Sequence, residues 1–443
     1  MSISQNFPNT RPSLNLNFAR SKTIDPRITF SRTTTGTYVD ESGLIRDAAA
    51  DEPRFDHDPV TGECLGLLIE ESRVNNYHVW NSTTDTATNL NSSYIDTQTV
   101  SSVLTPRGVA ATAYTATKTG NTGQYHGLNS GANNFSISAN TSVSASAYIK
   151  DFNNSDYRLY FVISAYNAST NNRRYTLYRA RPSTGEWISG TLHSNWSTPV
   201  TDVKDVGNGW YRFEISSTNT YQAGWNVIEF SFQLLNENNA QFYDPPTANT
   251  HGLYLSSPQF ELGSFPTSYI PTNNANGSRQ PDSVSMTGDN FSDWYNQSEG
   301  TFEVSLIENG LGKTGGYPGV MYVDDGTGQN CIGFYISDAG DDALRFEIYD
   351  GNVGQGNTPT IGVVSVGEKY NVIGAYASND MVSTGDGLSI SSPDTNVVLP
   401  DVNRLIIGML RGGNLNNMLN GTISQLTYYP VRLPNSTLQT LTK

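Results

Sequence analysis

A period-two alternation of apolar and polar residues recurs along most of this sequence and limits what the chain can fold into. Val143, Ala145, Ala147 and Ile149 fall on alternate positions, as do Tyr157, Leu159, Phe161 and Ile163. The pattern returns at Tyr211, Phe213 and Ile215, and at Ile228, Phe230, Phe232 and Leu234. In the second half it marks Phe302, Val304 and Leu306, then Ile332, Phe334 and Ile336, Leu344, Phe346 and Ile348, and Leu405, Ile407 and Met409. Successive side chains of a strand point to opposite faces, so each segment has one buried and one wet face. Strands wetted on one side belong to antiparallel sheets. Gly, Asn and Asp clusters separate the segments and supply turns. No amphipathic helix longer than about ten residues is predicted, beyond a short helical turn after Pro434. The fold class is all-β.

Composition fits thin sheets with aromatic filling. Hydrophobic residues make up 36% of the 443, against about 45–50% in ordinary globular chains. Charged residues are scarce at 15%, while aromatics reach 11%, which separates the chain from charged, aromatic-poor disordered sequences. The net charge of -15 argues against nucleic acid and anionic membrane, both of which require Lys and Arg. Cys64 and Cys331 lie far apart and give no disulfide framework or zinc spacing; both are expected reduced. No basic-then-apolar leader or membrane-spanning run is visible, so synthesis in a cytoplasm is expected. The Asn-x-Ser/Thr triplets at Asn81, Asn195 and Asn420 read as chance matches in so Asn-rich a chain.

Three parts are expected. Residues 1–75, rich in Pro, Arg and Asp, form an N-terminal module; 76–272 carry a first strand set. The polar, Pro-bounded stretch PTNNANGSRQPD leads into a linker over 273–282, and 283–443 carry a second set. Three groups of motifs bring resemblances. ITFSRTTTGTYVDESGLIRDAAADEPRFDHDPVTGECLGLLIEESRVN, Ile28 to Asn75, resembles a module of structural proteins of tailed bacteriophages that stands ahead of sugar-binding-like domains. DVGNGWYRFEIS, Asp205 to Ser216, and FELGSFPTSYIPT, Phe260 to Thr272, resemble the closing strands of carbohydrate-binding-module-type jelly rolls. FSDWYNQSEGTFEVSL, Phe291 to Leu306, and LNGTISQLTYYPVRLPNSTLQTLT, Leu419 to Thr442, resemble the first and last strands of concanavalin A-like, laminin-G-like sandwiches. The resemblances imply two antiparallel β-sandwich domains in tandem, jelly-roll or concanavalin A-like, after the module.

Catalytic residues are not found. Glycoside hydrolysis needs two facing carboxylates, and the Glu-x-Asp-x-x-Glu pattern is absent. Asp341-Asp342 and Asp324-Asp325 sit in Gly-rich turn contexts, and the five histidines are scattered. Concanavalin-like folds often hold calcium, and Asp324, Asp325 and Asn330 in DDGTGQN offer hard oxygen ligands for a possible Ca2+; otherwise no cofactor is expected. Asp56-His57-Asp58 reads as a turn cap before Pro59, with metal binding as the alternative. Glycan binding would use aromatic faces, and Trp187, Trp196, Tyr221 and Trp225 lie in polar surroundings of the first sandwich; against this, most Trp residues of sandwiches fill the core.

The resemblances imply a non-enzymatic structural component of a tailed-phage virion, surface-exposed, of tail fibre or spike type and adhesive to host-surface glycan. The N-terminal module would contact other virion proteins or organise a homotrimer. The alternatives are a capsid decoration protein without ligand and a polysaccharide-degrading tailspike.

Overall fold

A computed structural model describes residues 11–443, except 88–90, 130–134, 139, 168–169, 171, 193–195, 221–226, 311–315, 338–340, 357–359, 387, 389 and 392–393. Its described residues are overwhelmingly strand and turn, and every ladder is antiparallel except one parallel bridge between Gly319 and Met418. The alternating segments become strands with their apolar halves inside. Val143, Ala147, Phe161, Ile163, Phe230, Phe232, Phe302, Val304, Phe334 and Phe346 are all fully buried. Turns use the residues that tolerate positive φ: Gly207, Asn208 and Gly209 stand at 82°, 54° and 75° and reverse the chain into strand Tyr211–Thr218. The helical turn expected after Pro434 is Asn435–Leu441. No helix is long and apolar enough to cross a membrane among the described residues.

Two sandwiches result. The first stacks a sheet ordered Ile95–Leu104, Ala110–Ala116, Gly252–Leu262, Ser142–Phe152, Tyr211–Thr218, Val200–Asp205 on a second sheet. That second sheet runs Asn91–Ser93, His126–Asn129, Val227–Leu235, Arg158–Asn167, Asn172–Arg181, Glu186–Leu192. Between them lies a core that includes Tyr157, Phe161, Phe213, Phe230, Phe232 and Phe260, with Phe230 stacked on Phe260 at 4.9 Å. In the second sandwich, strands Asp380–Gly385, Lys369–Ala377, Glu299–Glu308 and Gly421–Tyr429 face a sheet built around Arg404–Ile407, Gly319–Asp324, Cys331–Ser337 and Ala343–Asp350.

The first 75 residues do not stand apart as a module. Leu14–Asn17 pairs with Gly421–Tyr429, setting Leu14 opposite Tyr428, and Cys64–Ile69 pairs with the other end of the same strand. Thr29–Ser31 joins the opposite sheet through Ser283–Thr287. Leu14, Leu16, Phe18, Ile28, Leu67 and Ile69 accordingly belong to the second sandwich's core. Gly66 fits this docking: at φ 116° its missing Cβ would lie 2.2 Å from the Ile423 carbonyl oxygen. The expected linker 273–282 is likewise structured. Gly277–Arg279 pairs with Arg73–Asn75, and Arg279 and Asp282 are fully buried. Its polar, Pro-bounded composition signals a linker locally, but its charges are satisfied by partners far away in the chain.

Candidate functional site

A two-sheet sandwich has two outer faces, and in the first sandwich their fates differ. The sheet containing Ser142–Phe152 is covered. The hairpin Gly36–Val39/Ile45–Ala48 lies over it, and Ile45, Tyr148, Phe152, Trp210, Tyr254 and Tyr269 close into a small second core. The Trp210 indole donates to the Leu104 carbonyl at 3.0 Å.

Beside that cover sits a buried ionic cluster in which the first 75 residues, the first sandwich and the 273–282 stretch meet. Arg54, fully buried, donates to Glu70 and to Asp282, both at 2.6 Å, and to the Thr37 carbonyl at 2.9 Å. Arg32 donates to the other Asp282 oxygen at 2.9 Å. Arg279 pairs with Glu70 at 3.1 Å and donates to the Glu71 carbonyl at 2.8 Å. Glu70 also accepts from the Ser268 amide and hydroxyl, at 2.7 and 2.6 Å, and buried Glu261 accepts from the Thr267 amide at 2.9 Å and hydroxyl at 2.7 Å. Three guanidiniums thus face the three carboxylates Glu70, Glu261 and Asp282. Burial pushes the Glu70 carboxyl up, and the Arg279 and Arg54 charges outweigh it, holding it at about 2. Arg54 belongs to PRFDHDP and Glu70 to GLLIEE, so these two sequence motifs encode the joint.

Among the described residues the other outer face carries no such cover. On strand Arg158–Asn167 the inward residues Leu159, Phe161 and Ile163 leave Tyr160, Val162, Ser164 and Tyr166 pointing out. The next strand, NRRYTLYRAR, sends Arg173, Tyr175, Leu177, Arg179 and Arg181 to the same side, with Arg179 opposite Tyr160 and Tyr175 opposite Ser164. Tyr175 is 43% exposed. Arg173 lies 5.1 Å over the Tyr166 ring and binds Glu229 with two bonds, at 2.6 and 3.0 Å. Arg181 binds Asp156 twice at 2.9 Å. Arg179 differs. Its Nε and Nη2 donate to the Ser189 carbonyl at 2.9 and 2.7 Å, it lies 5.9 Å over the Tyr160 ring, and among the described residues no carboxylate pairs with it. The row from Tyr160 to Tyr166 runs about 20 Å along the strand.

Of the aromatics singled out from sequence, Trp187 and Trp196 point elsewhere. Trp187 packs edge-on against Phe161 at 5.0 Å and Phe213 at 5.3 Å, and its indole donates to the Asp202 carbonyl at 2.7 Å, sealing the side of the sandwich. Trp196 is 3% exposed and donates to the Arg174 carbonyl at 3.2 Å. Both indoles find a partner while their rings fill the core. Tyr221 and Trp225 lie outside the described residues. Tyr160, Tyr166 and Tyr175 are signalled in the sequence only by the opposite parity of the same alternating strands.

The oxygen ligands proposed for calcium do not fit a cation. Asp324 is buried and held by Arg404 at 2.5 Å and by the Gly412 amide at 2.6 Å. Asp325 accepts from the Thr327 amide at 2.9 Å and from Asn330 at 2.8 Å, and Asn330 accepts from the Gly351 amide at 2.7 Å. A guanidinium already supplies the positive charge there. No group of three or more His, Cys, Asp and Glu suited to a metal occurs among the described residues. Asp58 caps its turn by accepting from the Val60 and Thr61 amides at 2.9 and 2.7 Å. Asp56 and His57 line a cleft of about 390 Å³ between the covering segment and both sandwiches, and burial pushes the Asp56 carboxyl up to about 6.

No protein-family model matches the chain, and no curated protein matches it in sequence. Among solved structures, the chain is similar to the CBM40 domain of the Ruminococcus gnavus IT-sialidase bound to α2,6-sialyllactose. The identity is 15% and the TM-score 0.28, over 33% of this chain and 85% of that one. It is also similar to the NanB sialidase of Streptococcus pneumoniae, at 10% identity and TM-score 0.30 over 36% and 26% of the two chains. A third is the SAP-like pentraxin of Limulus polyphemus, at 12% identity and TM-score 0.24 over 33% and 70%.

Proposed function

We propose that this protein is a non-enzymatic structural component of a tailed-phage virion, exposed on the particle, whose first sandwich contacts host-surface glycan. The observation that carries this reading is the segment Ile28 to Asn75, whose phage-like residues Arg54 and Glu70 form the fully enclosed joint between the parts of the chain. A joint of buried paired charges fixes geometry and performs no chemistry. In each of the two acid pairs nearest to a hydrolase pattern one carboxylate is engaged by an arginine: Asp324 by Arg404 and Asp341 by Arg345. The open face of the first sandwich offers rings and hydrogen-bonding groups of the kind sugars use. Attachment of the first segment to the particle uses its exposed turns, since its strands are hydrogen-bonded within the chain. The resemblance also implies a trimer.

Immunogold labelling of purified virions, with a glycan array of the isolated protein, tests the reading. Labelled particles and array binding are expected. Unlabelled particles would overturn the virion assignment, and release of reducing sugar from capsule would overturn the non-enzymatic one.

A further inference from the structure

We infer that the open face of the first sandwich binds an acidic glycan chain: the Arg179 guanidinium takes a sugar carboxylate or sulfate, and Tyr160 and Tyr175 stack on sugar rings. This rests on the adhesive reading above and narrows its ligand class.

The face is long, chemically mixed and, among the described residues, uncovered. Tyr175 is 43% exposed, Tyr160 and Tyr166 are partly exposed with Arg179 and Arg173 over one side of their rings, and Val162 and Leu177 supply apolar floor between them. A row of about 20 Å suits a chain of sugars over a single ring. Aromatic residues with one apolar face and one polar handle are suited to ligands that are themselves amphipathic.

Charge selects the class of sugar. The chain carries a net charge of -15, yet four of the ten residues of Asn172–Arg181 are arginine. Arg173, Arg179 and Arg181 point outward, and the first and last are neutralised by Glu229 and Asp156. Among the described residues Arg179 donates to a carbonyl through Nε and Nη2 and meets no anion. A planar guanidinium matches a carboxylate or sulfate in two-pronged geometry. Its stacking over Tyr160 places that charge beside a ring that can hold the same sugar residue. A neutral glycan can accept hydrogen bonds from the guanidinium but leaves its charge uncompensated, whereas an acidic one supplies the missing anion. Nucleic acid requires many phosphate contacts, and a face on which Arg179 alone among the described residues lacks a carboxylate partner, on a protein of net charge -15, does not supply them.

The test is calorimetric titration of the full chain with polyuronate, polysialate and sulfated oligosaccharides, with dextran of matched length, and with a single-stranded oligonucleotide. At least one acidic glycan binds and dextran does not. Arg179→Gln weakens that binding about tenfold or more, and Arg179→Lys, which keeps charge but loses the fork, weakens it less. Tyr175→Ala also weakens it, while Arg345→Gln on the second sandwich leaves it unchanged. Unchanged thermal melting of Arg179→Gln and Tyr175→Ala excludes misfolding as the cause. Equal or tighter binding of dextran overturns the acidic preference and leaves the adhesive reading standing. Undiminished binding by Arg179→Gln, or preference for the oligonucleotide, overturns the site. Silence with every glycan removes both this inference and the adhesive reading.

Discussion

The two outer faces of the first sandwich start from the same architecture and end differently. One presents Tyr148, Phe152, Trp210 and Tyr254, and the first segment of the chain seals it. The other presents tyrosine and arginine beside Val162, Ser164 and Leu177, and no described segment seals it. Arginine behaves differently on each. Arg32, Arg54 and Arg279 are enclosed among carboxylates and carbonyls. Arg179 is anchored by one carbonyl and otherwise left with its charge. A β-sandwich fixes where a face lies; the residues of outward parity decide whether that face becomes an internal joint or a contact surface.

The largest effect is expected at the joint. Arg54→Ala leaves Glu70 and Asp282 buried without their shared cation and should destabilise the protein by about 3–5 kcal/mol, read as a lowered denaturation midpoint. A loss under about 1 kcal/mol would mean that the first segment is not clamped. Trp210→Ala should cost a similar amount, about 3–5 kcal/mol, by opening a cavity under the cover. Tyr175→Ala on the open face should change stability by no more than about 0.5 kcal/mol. Equal losses from these two substitutions would erase the distinction between the faces.

Acid should act on the joint first. The folded Glu70 carboxyl titrates at about 2, below the ordinary range near 4.3 for an unfolded chain. Its contribution to stability is therefore full above that ordinary value and is lost as pH falls towards 2. Denaturation midpoints of the wild type and Glu70→Gln should converge over that interval; a constant gap would contradict the pairing. A smaller effect of opposite sign is expected on the second sandwich. There Tyr429, Leu433 and Leu438 cover part of an outer face, and burial pushes the Glu303 carboxyl up to about 7. The charged form is disfavoured by folding, so stability falls as pH rises from the unfolded value through 7. Glu303→Gln should stabilise by about 1–2 kcal/mol at pH about 8 and by nothing at pH about 4.

Much of the scaffold was legible in the sequence because alternation is a local signal. The apolar residues of the strands named from sequence are buried, Phe161, Phe232, Val304 and Phe346 among them. The interleaving of the first segment with the last strands was not legible. Leu14 opposite Tyr428 and Leu67 opposite Ile423 are pairings with no local trace. The stretch ending at Asp282 looked like a linker because its charged partners, Arg32 and Arg54, stand far upstream. The contact face was half legible. The rule that places Leu159 and Phe161 inside also places Tyr160 outside, but whether an outer face is covered depends on what packs against it.

Hydroxyl-radical footprinting of the tyrosines, with and without a bound acidic oligosaccharide, tests the contrast between the two faces most directly. Tyr160, Tyr166 and Tyr175 should be modified in the free protein and protected by the ligand, while Tyr148, Tyr254 and Tyr269 are spared in both. Equal modification of the two sets, or protection confined to tyrosines outside Arg158–Asn167 and Asn172–Arg181, would contradict it.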